Sequence, residues 1–391
     1  MDVALFSRML ADPLFPDLRK LRYKYPQDFD GFLAALRTLY YRELPLRAFD
    51  GSPLVYLENY AGVDIRTVKL LLRQQSERYG VSAAEEEILA SSAIESIDFR
   101  RESIRSILKG FAPRDEAENR ILGQKRGLDY IADRTHAITE ENLHRLYQMT
   151  VGDFLGEEAR LPEGAFYRND EVFVVGDRVE HAGLAHGKLP DYMGELMAFV
   201  QTEDGMDELL KAAVLHYYIA YLHPYFDGNG RTARLLHLWY LLRRGYETTL
   251  FVPFSALIVK SRRAYYTAFT TVEENRRLSG VLDVTPFLKY MADMVYNRMP
   301  QSVVGADVLA LYRQAVEAGA VTQKEAALWR FVLSQYAGEA FSTKRLEREF
   351  GAAAYATVRG FVRKFCDLGL LTAEHYGNRT RYRVAPDGRP G

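Results

Sequence analysis

One cysteine, Cys366, stands in a chain of 391 residues, which leaves no room for an intrachain disulfide or for the cysteine-rich zinc motifs. Charge of one sign is also lacking: 51 Lys and Arg face 52 Asp and Glu. No global field therefore draws the chain to nucleic acid or to a membrane surface, and any basic patch must be local. No apolar run approaches the roughly eighteen residues that a spanning helix needs, and no charged-then-apolar leader opens the sequence. These absences predict a cytoplasmic protein without a membrane partner. His181, His186, His216 and His237 lack the spacing of a metal site and read as core or surface residues. No repeat or low-complexity tract is present, and the length suffices for two or three domains with sizeable cores.

What the chain does have is concentrated in residues 223–234, where His223 and Pro224 lead through Tyr225, Phe226, Asp227, Gly228, Asn229 and Gly230 to Arg231 and Arg234. Residues 209–222 are almost continuously apolar and aromatic, and Leu235, Leu238, Trp239 and Leu242 recur at helical spacing, so two helices frame a tight loop. Pro224 disfavours the helical region at His223, which predicts the first helix to end there. Gly228 and Gly230 let backbone amides approach a ligand, and Asn229 is expected at the N-cap of the second helix. Unpaired amides at a helix start, with the helix dipole, make an anion cradle. Arg231 and Arg234, three apart on the first turns, offer two guanidinium forks for phosphate. Asp227 beside them suits Mg²⁺, and His223 suits a general base.

The run resembles the signature of Fic-domain enzymes, His-Pro-Phe-x-Asp/Glu-Gly-Asn-Gly-Arg-x-x-Arg, departing from it at Tyr225. The resemblance implies transfer of AMP from ATP onto a hydroxyl side chain (Tyr, Thr or Ser) of a protein target or of the chain itself, with release of pyrophosphate. It makes His223 the base for that hydroxyl and Asp227 the metal holder. Gly228, Asn229 and Gly230 become the phosphate cradle, and Arg231 and Arg234 the grip on the β- and γ-phosphates. Upstream, residues 91–97 resemble the family's inhibitory helix, a Ser/Thr-x-x-x-Glu-Gly/Asn pattern, with Ser91 and Glu95 in its leading positions and Ser96 where Gly or Asn is usual. Four apart, the first two share one helical face in a helix over about 83–97. By resemblance Glu95 pairs with Arg234 and takes the space of a productive γ-phosphate.

Val172, Phe173, Val174 and Val175 precede a Gly176-Asp177 turn and resemble the family's flap, a hairpin that aligns a target segment by adding a strand. Tyr265 and Tyr266 are expected to pack in the core. The fold class that follows is mainly α: a Fic helical core over 81–300 with a small β-hairpin flap, an N-terminal helical region over 1–80, and a domain over 301–391. In the N-terminal region, helices are read over 4–10, 29–42 and 65–80. A last long core helix is read over 286–299 with Thr285 as its cap. Residues 301–305 read as a linker and 307–317 as a connecting helix. Beyond it, helices over 323–336, 344–350 and 353–368 precede a hairpin about Gly377-Asn378, which resembles a winged helix. Arg359, Arg363 and Lys364 on its third helix, with Arg379, Arg381 and Arg383 in the wing, would be the DNA contacts of a binding member. The alternatives are a nucleotide-sensing DNA-binding regulator, or a Fic enzyme that removes AMP or uses another phosphate-containing donor. The resemblance also raises a homodimer.

Overall fold

The structure is a computed structural model that describes residues 2–58, 60, 81–175, 179–246, 249–250, 252–299, 306–336, 340–376 and 379–385. It is mainly helical, with three small two-stranded antiparallel sheets among the described residues. The chain divides into two compact units: Met1–Val63, Ile88–Gly245 and Ser255–Tyr296 form the first, and Asp64–Glu87, Tyr246–Phe254 and Asn297–Gly391 the second. No described helix is long and apolar enough to cross a membrane.

The first unit opens with α1 (Val3–Leu10), α2 (Leu18–Lys24) and α3 (Phe29–Ala35), which bury Phe6, Met9, Leu18, Leu21, Phe29 and Phe32 in one cluster. The helix expected over 29–42 continues past Ala35 as a wider π turn and stops at Tyr40. A hairpin of β1 (Tyr41–Arg47) and β2 (Pro53–Leu57) follows, in a region expected to be helical throughout. Its register shifts between Glu43 and Arg47, and that irregularity is where Pro45, which has no N–H for a ladder, can sit. Val55 extends the contact to residue 283: its N–H donates to Leu282 O, and its carbonyl accepts from Val284 N–H. The helices expected over 65–80, the linker over 301–305 and the turns at Gly176-Asp177 and Gly377-Asn378 lie outside the described residues.

Next come α4 (Val81–Ile94), which belongs to this unit from Ile88 onward, α5 (Arg101–Leu108), α6 (Glu116–Ala132) and α7 (Glu140–Thr150), then β3 (Phe173–Val175), β4 (Val179–Ala182) and α8 (Leu189–Gln201). Side-chain caps explain several starts: Asp115 accepts from Glu118 N–H at α6, and Thr139 accepts from Asn142 N–H at α7. The centre is α9 (Glu208–Leu222), apolar around nearly its whole circumference, and α10 (Asn229–Arg243), which buries polar residues on its first turns and Leu236, Leu238, Trp239 and Leu241 beyond them. Asp207 starts α9 by accepting from the N–H groups of Leu209 and Leu210. Then α11 (Phe254–Lys260), α12 (Arg262–Ser279) and α13 (Thr285–Tyr290) follow. The last begins one residue before the expected 286, so Thr285 is its first residue and Val284 its cap; the Asp283 carboxylate accepts from Thr285 N–H at 2.9 Å.

The second unit carries α14 (Ala306–Glu317), α15 (Gln323–Tyr336), α16 (Thr343–Phe350) and α17 (Tyr355–Asp367), then β5 (Leu371–Tyr376) paired with β6 (Arg379–Val384). Ser342 caps α16 by accepting from Arg345 N–H. Phe341 exchanges two backbone hydrogen bonds with Tyr382, adding a one-residue bridge to that hairpin. Val358, Phe361, Val362 and Phe365 are the buried face of α17.

Candidate active site

The turn between α9 and α10 is built as Pro224 requires. Helix α9 stops at Leu222, and His223 caps it in the left-handed region at φ 55°, ψ 58°. The cap of α10 is Gly228 at φ 81°, not Asn229 as expected from sequence. The reason is that Asn229 spends its side chain backward across the turn. Its Oδ1 accepts from Tyr225 N–H at 2.9 Å and its Nδ2 donates to Tyr225 O at 2.8 Å. Those two bonds close the loop, while glycine supplies the positive φ. Tyr225, the departure from the signature, is buried and stacks on Tyr147 with ring centroids 3.7 Å apart.

Burial pushes the His223 imidazole down to about 4, with Ala220 O opposing and the charges of Arg168 and Glu95 acting in opposite senses. It is therefore neutral at physiological pH. Its Nδ1 lies 3.3 Å from Ala220 O, and a carbonyl only accepts, so Nδ1 carries the proton and the Nε2 lone pair is left as a base.

The two arginines of the run differ sharply. Arg234 is 3% exposed and engaged through two of its three nitrogens: Nε donates to Ser91 Oγ at 3.0 Å, and Nη2 donates to Ser91 O at 3.0 Å and to Glu95 Oε1 at 2.8 Å. Arg231 is also buried, yet its Nη2 has only a 3.4 Å contact with Asp227 Oδ2 and its Nε has no partner. An unpartnered buried guanidinium nitrogen at a helix start is what an anion would satisfy.

Glu95 is one residue beyond the last of α4, in the turn that ends it, so the helix expected over 83–97 is shorter at its end. The left-handed Ser96, at φ 59°, stops it there. Ser91 and Glu95 still face the same guanidinium. A β-carbon on Gly230 would lie 2.4 Å from Glu95 Oε1, so the carboxylate rests directly on the first turn of α10. Burial raises the Glu95 carboxyl, but the Arg234 charge and hydrogen bond, with Arg231 and His223 behind them, hold it below the usual carboxylate range. An internal anion thus occupies part of the cradle.

Asp227 is 54% exposed, with Oδ1 accepting from Gly228 N–H at 2.5 Å and Oδ2 beside Arg231. A half-exposed carboxylate next to an anion cradle fits Mg²⁺, which takes one or two carboxylates together with phosphate oxygens and water. Among the described residues no group of three or more His, Cys, Asp or Glu could hold a metal unaided. His216 and His237 are buried and bond Tyr265 and Tyr296 instead.

The hairpin starts at Phe173, one residue after the expected Val172, and pairs Phe173 with Ala182, Val174 with His181 and Val175 with Val179. Val172 serves as its root, its carbonyl accepting from Gly183 N–H at 3.0 Å. Among the described residues no third strand pairs with this sheet, and Phe173 is exposed. Tyr265 is buried as expected, whereas Tyr266 is exposed and donates to Ile94 O at 3.2 Å. Sequence reasoning assigned no role to Arg168, whose Nε donates to His223 O at 2.8 Å.

Residues 137–241 match the model of the Fic/DOC family. Among curated proteins, Protein adenylyltransferase Fic of Drosophila ananassae is 28% identical over 186 residues, which is 46% of this chain and 32% of that protein. The protein of the same name from Culex quinquefasciatus is 28% identical over 229 residues, 55% of this chain and 41% of that one. The chain thus spans well under half the length of these relatives. Two solved structures are similar: a Fic family protein from Desulfovibrio desulfuricans G20 and Fic-1 (aa134 - 508) from C. elegans. The first is 19% identical with a TM-score of 0.47, over 79% of this chain and 88% of that one. The second is 18% identical with a TM-score of 0.47, over 80% and 82%. The match to the Fic/DOC family takes in the β3-β4 hairpin, the His223 turn and all but the last two residues of α10, and it leaves α4 and Glu95 outside.

Proposed function

We propose that the chain is an autoinhibited protein adenylyltransferase. It transfers AMP from ATP to the hydroxyl of a Tyr, Thr or Ser on a protein target or on itself. The observation that carries the reading is the Glu95 carboxylate resting on Gly230 in the grip of Arg234, an internal anion held where a helix start favours phosphate, beside a neutral histidine.

In this reading the target segment lies along the free edge of the β3-β4 hairpin, contacting Val172, Phe173, Val174 and Val175, so that main-chain bonds align its hydroxyl. His223 Nε2 takes the hydroxyl proton as the oxygen attacks the α-phosphorus. The bond from that phosphorus to the bridging oxygen breaks, and pyrophosphate leaves. Amides of Gly228, Asn229 and Gly230 with Arg231 and Arg234 stabilise the charge that moves onto the leaving group. Mg²⁺ held by Asp227 would neutralise phosphate charge when bound. With Ser91 and Glu95 on Arg234, the second fork is withheld from nucleotide, and the enzyme rests. The accompanying domain reading is a catalytic domain over 81–300 between an N-terminal helical region and a winged-helix-like 301–391.

The test is incubation with ATP labelled at the α- or at the γ-phosphate, followed by mass spectrometry of the protein. AMP transfer labels protein from the α-position only, rises in Glu95→Gly and vanishes in the Glu95→Gly, His223→Ala double variant. No adduct in Glu95→Gly with any nucleoside triphosphate sinks the reading; loss of AMP from a pre-modified protein identifies the removal reaction instead.

DNA binding by 301–391 is a second reading, favoured by one observation: Tyr355, Arg359 and Arg363 are exposed and four apart along α17, a single face. Arg381 is exposed on β6, but Lys364 Nζ donates to both Glu325 carboxylate oxygens, at 2.9 and 2.8 Å, which spends its charge. Titration of a random duplex at several salt concentrations decides it, since phosphate contacts give a steep salt dependence. The homodimer is tested by sedimentation of the same sample.

A further inference from the structure

At the root of the β3-β4 hairpin a cation is buried on main-chain carbonyls, with Glu171 and Asp170 acting on it only at a distance. Arg168 is 2% exposed, and among the described residues no ion pair reaches it. Its guanidinium instead donates to three main-chain carbonyls from three segments. Nε donates to His223 O at 2.8 Å, one terminal nitrogen to Asp170 O on the way into β3, and the other to Leu184 O on the way out of β4. Its own N–H donates to Pro224 O at 3.0 Å. Around it, Leu184 N–H donates to Leu222 O at 3.1 Å, and His181 Nε2 lies 2.7 Å from Tyr221 O. The hairpin is therefore stitched to the end of α9 at successive carbonyls, with Arg168 at the middle.

Two features argue that this tie does more than hold a loop. Taking a guanidinium out of water is costly, and burial lowers the Arg168 guanidinium although the charges of Glu171 and Asp170 oppose it, whereas a neutral residue could fill the same space. The residue it grips is also in a backbone conformation that L-residues rarely adopt, at φ 55° and ψ 58°. A planar fork with five donors can hold three carbonyls at fixed angles, which an ammonium cannot. The seam admits no side chain either: a β-carbon on Gly183 would lie 2.7 Å from Arg168 Nη2, 2.8 Å from Val172 Cγ1 and 3.1 Å from His223 Cβ.

We propose that Arg168 is a positioning residue for His223: its fork fixes the strained backbone of the base and both roots of the hairpin together, so that the imidazole and the target-holding edge keep one geometry. The kinetic consequence rests on the adenylyltransferase reading; the structural consequence does not. A misplacement of about 1 Å in a reacting group costs on the order of 100-fold in rate.

The experiment uses the full chain in the Glu95→Gly background, with Arg168→Met and Arg168→Lys. Self-labelling from α-labelled ATP is expected to fall roughly 100-fold in Arg168→Met, with the KM for ATP nearly unchanged because the nucleotide is gripped elsewhere. Arg168→Lys restores part of the rate. Independently of any activity, NMR of labelled histidines should place the His223 midpoint at about 4 in the chain with Glu95 intact and higher when Arg168→Met alone is introduced there, since the Arg168 charge is among the groups that hold it down. A folded Arg168→Met protein with an unmoved His223 resonance, or a rate loss matched by an equal rise in KM, overturns the inference. If the parent never labels, the functional reading fails while the His223 resonance still decides the role of Arg168.

Discussion

Two helix ends meet at the site, and they are fastened in opposite ways. His223 after α9 and Ser96 after α4 are the two non-glycine residues with positive φ among the described residues, at 55° and 59°. Each costs roughly 1–2 kcal/mol for an L-residue, so each must be over-determined by its surroundings. The His223 turn is fastened from inside, by the buried Arg168 on its carbonyl and by Leu184 N–H on Leu222 O. The Ser96 turn is fastened from outside. Arg262 Nη2 donates to Ile94 O at 2.8 Å and reaches Ser96 Oγ at 3.4 Å, and Tyr266 Oη donates to the same Ile94 carbonyl. Both of these donors are exposed on α12, where water competes for them. His223 is thus anchored by a buried donor, while the turn beside Glu95 is held by a catch of donors that solvent can reach.

The comparison breaks hardest at His223. In the Glu95→Gly background, His223→Ala should lower α-label transfer by roughly 10²- to 10⁴-fold, the usual share of a general base, with ATP affinity retained; transfer that survives unchanged places the base elsewhere. The same residue has a stability signature. Its pKa falls from about 6.5 in the unfolded chain to about 4 in the fold. The unfolded chain therefore binds the extra proton first, so the contribution is complete above the unfolded value and is lost as pH falls through the folded one. Thermal melts between pH 4 and 7 should show that slope in the parent and a shallower one in His223→Ala.

At the other end, a hydrogen bond to a charged group is worth about 2 kcal/mol, which corresponds to roughly 30-fold in the balance between plugged and open cradle. Glu95→Gly should raise labelling by about that factor and lower Tm, because Arg234 loses a partner while remaining buried. Arg262→Ala should act in the same direction and more weakly, about fivefold for one hydrogen bond of about 1 kcal/mol. It should add nothing once Glu95 is gone, since the catch then has nothing to hold. Additive effects of the two changes would show that Arg262 works through something other than Glu95.

How much of this was legible beforehand differs between the two ends. Pro224 announces the stop of α9, while the nearly continuous apolar run of α9 and the helical spacing of Leu235, Leu238, Trp239 and Leu242 announce the two helices that frame the loop, because both are local rules of backbone and period. The pairing of Glu95 with Arg234 joins residues 139 apart, and only the resemblance suggested it. Arg168 was invisible, since nothing local says that an arginine will be buried on three carbonyls. Asn229 misled for a physical reason: a side chain that favours caps can equally bond its own turn, and with Gly228 available for the positive φ it does so. The hairpin over 41–57 was missed because Pro45 read as helix punctuation, whereas it sits at the irregular part of the ladder that Pro53 closes at the start of β2.

Ser96 allows the finest cut at the comparison, because its strain and its catch pull in opposite directions. The left-handed conformation that ends α4 suits Gly or Asn, the residues of the family pattern at this position, and serine carries the cost of a β-carbon there. Ser96→Gly removes that cost and loosens the unfolded chain, for a net gain of about 0.5–1 kcal/mol, or about 2 °C in Tm. The gain belongs only to states in which the turn is made, so Glu95 should be held more firmly on Arg234 and basal labelling should fall about two- to fivefold. The sign is the informative part. Arg262→Ala and Ser96→Gly alter the same turn, one by releasing its catch and the other by relaxing its strain, and the rates should move apart. If Ser96→Gly raises basal labelling instead, the strained turn was holding the plug closed and the catch on Ile94 was not.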